Sequence, residues 1–341
     1  MIKLFYDKAE ENIPFVYLLY PNLKLEHKAG GGLWNERIFS FFAGPAVELV
    51  STVAEADFIL LPHNYDRVRD NHALLSHYRQ LSQTSHKRLI IFAYGDAEQT
   101  ISIPGAIVFT YQMYSYQHRK NEIKMPPLCE DFTLLTDFYC REKTRNKPSL
   151  GFCGRAEYGS FLGQCKVILQ TLVFGAKKGI YFRKKIVDFL LNATLILPQF
   201  IIRHSYSANK KTIELSPEEA RRDFIQNLQG CDFSLDIRGD SNESTRFYEA
   251  LSLGRIPVVI DTGRVFPFEK EINYNEFILR IPYNRYKETP QIVADFYRTL
   301  TPEEFRRKQL RAREVFEKYL RIDAYFKYAF SSPEKLLRLL N

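Results

Sequence analysis

At 341 residues the chain is too long for one ordinary domain and suits two. With 45% apolar and 26% charged residues it is globular, which excludes an intrinsically disordered polymer. A net charge of +8 and a pI of about 9.1 fit an anionic partner: a nucleoside diphosphate, a lipid phosphate, an anionic membrane surface or nucleic acid. A solubilising surface excess accounts for the charge equally well.

The 27 Phe and 21 Tyr are first of all core material, because aromatic side chains mostly serve burial. The five cysteines, at 129, 140, 153, 165 and 231, are scattered, and none forms a C-x-x-C pair. That argues against a disulfide framework or a zinc site and for a reducing cytosol. The first residues, MIKLFYDKAEEN, lack the apolar core of a signal peptide. The most apolar stretch, 189–202, is too short to span a bilayer and reads as a buried segment. The expectation is a cytoplasmic protein, peripheral at most to an anionic membrane face.

In chain order, residues 2–6 and 15–20 read as strands, and three glycines at 30–32 lead into a helix with Trp34, Ile38 and Phe41 on one face. A glycine-rich loop before a helix lets a phosphate or substrate approach the backbone, although a flexible loop has the same composition. Strands are expected at 57–61, 88–94 and 107–110, with a helix over 67–83. This alternation predicts a parallel, wound α/β domain. Residues 131–148 are polar and end in Pro148, and they read as a linker. A strand at 149–153 reopens the pattern, followed by helices at 158–174 and 181–191. Ser216-Pro217-Glu218-Glu219 is an N-cap, a proline at the first helical position and a capping-box glutamate, starting a helix that runs to about 229. Thr301-Pro302-Glu303-Glu304 repeats the device for a helix to about 320, in which Phe305, Ala312, Val315 and Phe316 share a face. A strand is expected at 277–281.

The chemistry concentrates between Cys231 and Phe268. An apolar run through Ile237 leads into a polar turn at 238–244, a helix from Thr245 to about Leu253, Gly254, and a strand at 256–260. In an α/β sheet such a loop lies beyond a strand's carboxyl end and at a helix N-terminus, where backbone N–H groups and the helix dipole favour anions. Arginine adds a planar fork matched to phosphate oxygens, and a carboxylate accepts from ribose hydroxyls. Arg238, Ser244, Arg246 and Glu249 offer these types within twelve residues. Arg246 and Glu249 are three apart and share a helix face, so spacing alone favours a surface ion pair between them.

The wording RGDSNESTRFYEALSLGRIPVVIDTGRVFPF resembles the signature of the exostosin-like glycosyltransferases. The likeness runs through Ser244, Arg246, Phe247, Glu249, Ala250, Leu251, Gly254, Ile256, Pro257, Val258 and Val259. ADFILLP at 56–62, SLGFCGR at 149–155 and YFRKKIVDFL at 181–190 resemble further family segments in the same order. The resemblance is to a compact type with one catalytic domain, microbial or viral rather than membrane-anchored.

It implies a GT-B fold: two Rossmann-like domains facing across a cleft, with a C-terminal helix packing back towards the first. The corresponding domains are 1–140 for the acceptor, 141–305 for the donor and 306–341 for the helical segment. It implies inverting, metal-independent transfer from a nucleotide sugar, usually a UDP-sugar, to a glycan or lipid-linked glycan, with no cofactor. Carried over by position, Ser244, Thr245 and Arg246 meet the diphosphate, Glu249 the ribose, and Arg238, Arg155 and Arg183 line the same pocket. The general base is expected in the N-terminal half: Asp96 first, His63 second, then Glu36 and His27, with Gly31 and Glu36 on the acceptor side. A sugar-nucleotide epimerase or a non-catalytic sugar-binding relative would keep the same nucleotide pocket. A nucleic-acid-binding protein is disfavoured, since neither an RNP-type nor a zinc motif is present.

Overall fold

A computed structural model of the chain describes residues 1–25, 34–95, 101–117, 119–157, 169, 179–204, 215–239 and 241–340, with the backbone alone at 34–36. These form two compact units. The first comprises Met1–Glu130, Val265–Glu271 and Lys318–Asn341, the second Asp131–Arg264 and Ile272–Glu317.

The first unit is built on a parallel sheet of β1 (Ile2–Phe5), β2 (Val47–Leu49), β3 (Phe58–Leu60), β4 (Leu89–Ala93), β5 (Ile107–Thr110) and β6 (Glu122–Lys124), in the order β2-β1-β3-β4-β5-β6. β3, β4 and β5 are buried at every position, as expected of parallel strands covered on both faces. The helices of its N-terminal segment are α1 (Tyr20–Leu23), α2 (Trp34–Phe39), α3 (Tyr65–Val68) and α4 (His72–Ser85). One core joins Ile59, Leu61, Tyr78, Ile91 and Val108.

The second unit is wound on β7 (Ser149–Arg155), β8 (Leu197–Arg203), β9 (Phe233–Ile237), β10 (Ile256–Asp261) and β11 (Leu279–Pro282), in the order β11-β10-β9-β7-β8. Its helices are α5 (Gly179–Leu191), α6 (Pro217–Gly230), α7 (Thr245–Ser252), α8 (Thr289–Thr299) and α9 (Pro302–Val315). The chain ends in the first unit with α10 (Ile322–Ala329) and α11 (Pro333–Arg338). The core of the second unit gathers Phe152, Ile186, Phe233, Ile237, Val258 and Phe305. The α/β class and two Rossmann-like units are thus present. In each sheet the chain adds a strand on one side of the first and then returns to its other side, so a topological switch point lies between β1 and β3 and between β7 and β9.

Several local expectations change. Residues 15–20 are not a strand: Tyr17–Leu19 form a 3-10 turn and α1 follows with Pro21 in its first turn, because a proline supplies a helical φ but no donor for a strand ladder. The helix expected over 67–83 is two, since the Asn71 side chain caps the N–H of Leu74 and restarts it. The apolar stretch 189–202 ends α5 and forms the edge strand β8, on which Leu197 and Ile201 are exposed rather than buried. The helix expected at 158–174 lies outside the described residues. Both capping boxes, at Ser216 and Thr301, are formed.

The division of the chain also differs from 1–140, 141–305 and 306–341. Asp131 already belongs to the second unit, because Arg313 of α9 grips its buried carboxylate through two hydrogen bonds of 2.6 and 3.0 Å. The segment read as a linker is a strap along that unit. Arg141 bonds Asp232 at 3.0 Å, and Tyr139 O accepts from Arg255 at 2.5 Å.

Candidate functional site

The site is built where β7 and β9 end side by side. β7 finishes in Cys153-Gly154-Arg155 and β9 in Ile237, followed by Arg238 and Gly239. Arg183, buried in α5, donates to the carbonyls of Arg155 at 3.1 Å and Ile237 at 3.3 Å, so one guanidinium ties the two strand ends together. Arg238 is only 2% exposed and also donates to Gly239 O at 3.5 Å.

Arg246, in the first turn of α7, reaches back across β7. Its Nε and Nη2 donate to Cys153 O at 3.3 and 3.2 Å, and its guanidinium lies 4.9 Å from the Phe152 ring centre. The glycines permit this convergence. A Cβ at Gly154 would sit 2.3 Å from Arg246 Nη2, and one at Gly239 would sit 2.8 Å from Arg183 Nη2. Four of the arginines named from the sequence, at 155, 183, 238 and 246, are therefore assembled around one switch point.

The N-terminus of α7 faces the same strand ends. Ser244 is the N-cap residue, but its hydroxyl caps nothing, and its N–H donates to the Glu243 carboxylate at 3.0 Å. Thr245 is exposed. The loop before the helix is held from behind. Arg264 bonds Asp236 at 2.6 Å and approaches Glu243 at 3.9 Å, while the Thr262 hydroxyl donates to Asn242 at 2.6 Å. Burial would depress the Arg264 guanidinium, but the carboxylates of Asp236 and Glu243 more than offset it, so it stays charged.

Glu249 and Arg246 do not pair with each other. The Glu249 carboxylate accepts from Arg221 of α6 at 2.8 Å, and among the described residues Arg246 has no carboxylate partner. Sequence reading missed Arg221, Arg264 and Glu243. Arg221 stands in PEEARRDF, which looks like an ordinary solvated helix face, and its partner lies 28 residues further on.

The residues expected to supply the base fare differently. His63, in the first unit, is fully buried, and both ring nitrogens are occupied by the backbone. Nε2 accepts from the Glu10 N–H at 2.7 Å, which leaves the proton on Nδ1, 3.1 Å from Pro14 O. Burial also lowers its pKa. His63 is therefore corrected from a base to a structural histidine. Asp96, Gly31 and His27 lie outside the described residues, as does the Glu36 side chain, although its backbone is in α2. Among the described residues no group of three or more His, Cys, Asp or Glu is placed to hold a metal ion. No helix among them is long and apolar enough to cross a membrane.

The fold and site define a wound α/β protein in which arginines gather at a switch point beside a helix N-terminus. Residues 177–296, which carry Arg183, Arg238, Arg246 and Glu249, match the Exostosin GT47 domain. No curated protein matches the sequence. Solved structures resemble it remotely. The catalytic domain of starch synthase IV from Arabidopsis thaliana, bound to ADP and acarbose, aligns at 11% identity over 84% of this chain and 73% of that one, with a TM-score of 0.39. TarM aligns at 10% identity over 74% and 55%, with a TM-score of 0.32, so the chain spans about half the length of that protein. S. aureus MnaA with UDP aligns at 10% identity over 93% and 95%, with a TM-score of 0.31. Likenesses this remote carry no weight for the chemistry.

Proposed function

We propose that the protein is an inverting, metal-independent glycosyltransferase that takes a sugar from a nucleotide-sugar donor, a UDP-sugar by the family resemblance, and transfers it to a hydroxyl of a glycan or lipid-linked glycan. The observation that carries this reading is Arg246. It lies inside the matched domain, is a cation without a carboxylate partner among the described residues, stands in the first turn of a helix and is fixed to the carboxyl end of β7. Helix N-terminus and guanidinium together suit a pyrophosphate leaving group, whose charge grows as the glycosidic bond breaks. Ser244, Thr245 and Arg238 complete the diphosphate side, Arg155 and Arg183 support it, and Glu249 takes the ribose. The acceptor hydroxyl attacks the anomeric carbon in line as a base removes its proton. With His63 withdrawn, that base is assigned to Asp96. Gly31 and Glu36 belong to the acceptor side, and a basic surface allows peripheral contact with an anionic membrane.

The test is titration calorimetry with UDP, followed by an assay of UDP release from UDP-sugars. The wild type should bind UDP, and Arg246→Met should weaken binding at least about tenfold, the scale of one charge-assisted hydrogen bond. Release should depend on acceptor, persist in EDTA and vanish in Asp96→Asn. Unchanged UDP affinity in Arg246→Met would overturn the pocket, and nucleotide conversion without acceptor would point to an epimerase.

A further inference from the structure

Glu249 is held in a way its assigned role does not itself require. Arg221 Nη1 bonds Glu249 Oε1 at 2.8 Å across α6 and α7, and the two side chains are 12% and 10% exposed. The Arg221 guanidinium lies 4.3 Å from the ring centre of Phe132 and 5.9 Å from that of Phe224. Those rings pack edge to face at 5.9 Å inside a small core with Leu228, Ala250 and Leu253, and the Phe132 N–H donates to the Ser252 hydroxyl at 3.3 Å. The platform under the guanidinium is thus fixed to the same helix that carries Glu249. A planar cation on a rigid ring has little freedom to rotate, so the carboxylate oxygen it grips has little either. Oε2 accepts no hydrogen bond among the described residues, and each carboxylate oxygen has lone pairs for two donors.

We infer that Arg221 is the positioning residue that sets the Glu249 carboxylate for the ribose hydroxyls of the donor, and that this pair makes the site select ribonucleotides over 2′-deoxyribonucleotides. The inference rests on the reading of Glu249 as the ribose ligand. A carboxylate with one oxygen fixed is already oriented and loses little freedom when a hydroxyl arrives. A hydroxyl-binding site also rejects the analogue lacking that hydroxyl, because its polar group is then left without a partner. If Arg221 merely joined α6 to α7, it would affect stability and leave nucleotide choice alone.

The experiment measures dissociation constants of UDP and 2′-deoxy-UDP for the full chain by calorimetry, alongside a thermal melt. The wild type should prefer UDP by about tenfold. Glu249→Gln should lose most of that preference. Arg221→Lys keeps the charge and the fold but loses the planar fork; it should bind 2′-deoxy-UDP as the wild type does while UDP weakens nearly to the same value. Arg221→Met should do the same wherever its melt shows a folded protein. Equal affinity of the wild type for the two nucleotides, or full preference for UDP in Arg221→Lys, overturns the inference. Full preference in Glu249→Gln instead removes Glu249 from the ribose and overturns the reading beneath it.

Discussion

At the scale of single residues, burial and partners decide what a reactive side chain can do. His63 follows a strand in Leu61-Pro62-His63, a position where catalytic groups occur, and its type suits proton transfer near neutrality. In the fold it serves the backbone of the 10–14 loop instead. This has a pH signature. Its folded pKa lies below the unfolded value of about 6.5, so the unfolded chain binds the proton more readily. Stability from His63 is present above about pH 6.5 and is lost as pH falls through the window down to the folded value. Urea unfolding midpoints of wild type and His63→Gln, compared between pH 8 and pH 5, should converge towards acid. A gap that is constant with pH, or an imidazole NMR titration at or above 6.5, would contradict this assignment. Glu249 carries a similar lesson. Truncating it to Ala removes a largely buried ion-pair partner of Arg221 and mixes stability with binding, so Glu249→Gln is the cleaner probe.

At the scale of elements, the turns around α7 place its chemistry. Gly254 ends the helix at φ +62, where L side chains are strained, and a Cβ there would lie 2.7 Å from the Phe138 ring and 2.8 Å from the Gln309 carbonyl. Pro257 follows in β10, one residue before the ladder to β11 begins at Val258, which is where a missing N–H costs least. Gly154 is constrained twice, by its φ of +159 and by the Arg246 side chain, whereas a Cβ at Gly254 would meet a backbone carbonyl as well as a ring. The two glycines therefore differ in which of them also bears on the site. Gly254→Ala should cost at least about 2 kcal/mol in chemical denaturation. Gly154→Ala should cost less, about 1–2 kcal/mol, because its φ is strained for an L residue but the Arg246 side-chain end can move, and it should also weaken UDP binding about fivefold by displacing the guanidinium. The reverse ranking in denaturation and calorimetry would refute both arguments.

At the scale of the whole molecule, the chain is not divided into consecutive blocks. It passes between its units after residues 130, 264, 271 and 317, and the second unit is closed by a contact between its two ends. Asp131, at its start, has a fully buried side chain, and Arg313, near its end, holds both carboxylate oxygens, the Ser252 carbonyl and the Thr133 hydroxyl. Burial alone would raise the Asp131 carboxyl, but the hydrogen bonds and charge of Arg313 outweigh it and hold it below the usual value. The contribution is present above about pH 3.9 and lost as pH falls through the lowered folded pKa. Arg313→Met should destabilise by about 3–5 kcal/mol in urea unfolding at pH 7, the cost of removing the cation from a buried carboxylate. A loss under about 1 kcal/mol would show that the closure is dispensable.

Short-range signals carried much of this protein in its sequence. Apolar runs at 89–93, 107–110 and 256–260 marked buried parallel strands, and the capping boxes at Ser216 and Thr301 marked helix starts, because each depends on residues within a turn or a strand. The family wording around Ser244 to Val259 singled out the domain that the comparison then matched. The three-residue strands VEL and EIK were invisible, since each is too short for periodicity and owes its place to neighbouring strands. Tertiary structure alone decided the adjacency of β7 and β9, which gathers arginines scattered from 155 to 246, and the partnership of Arg221 with Glu249. It also decided that His63 spends its nitrogens on the backbone. Those outcomes depend on contacts between residues 28 to 93 positions apart, and no local pattern encodes which of many equivalent charges will meet.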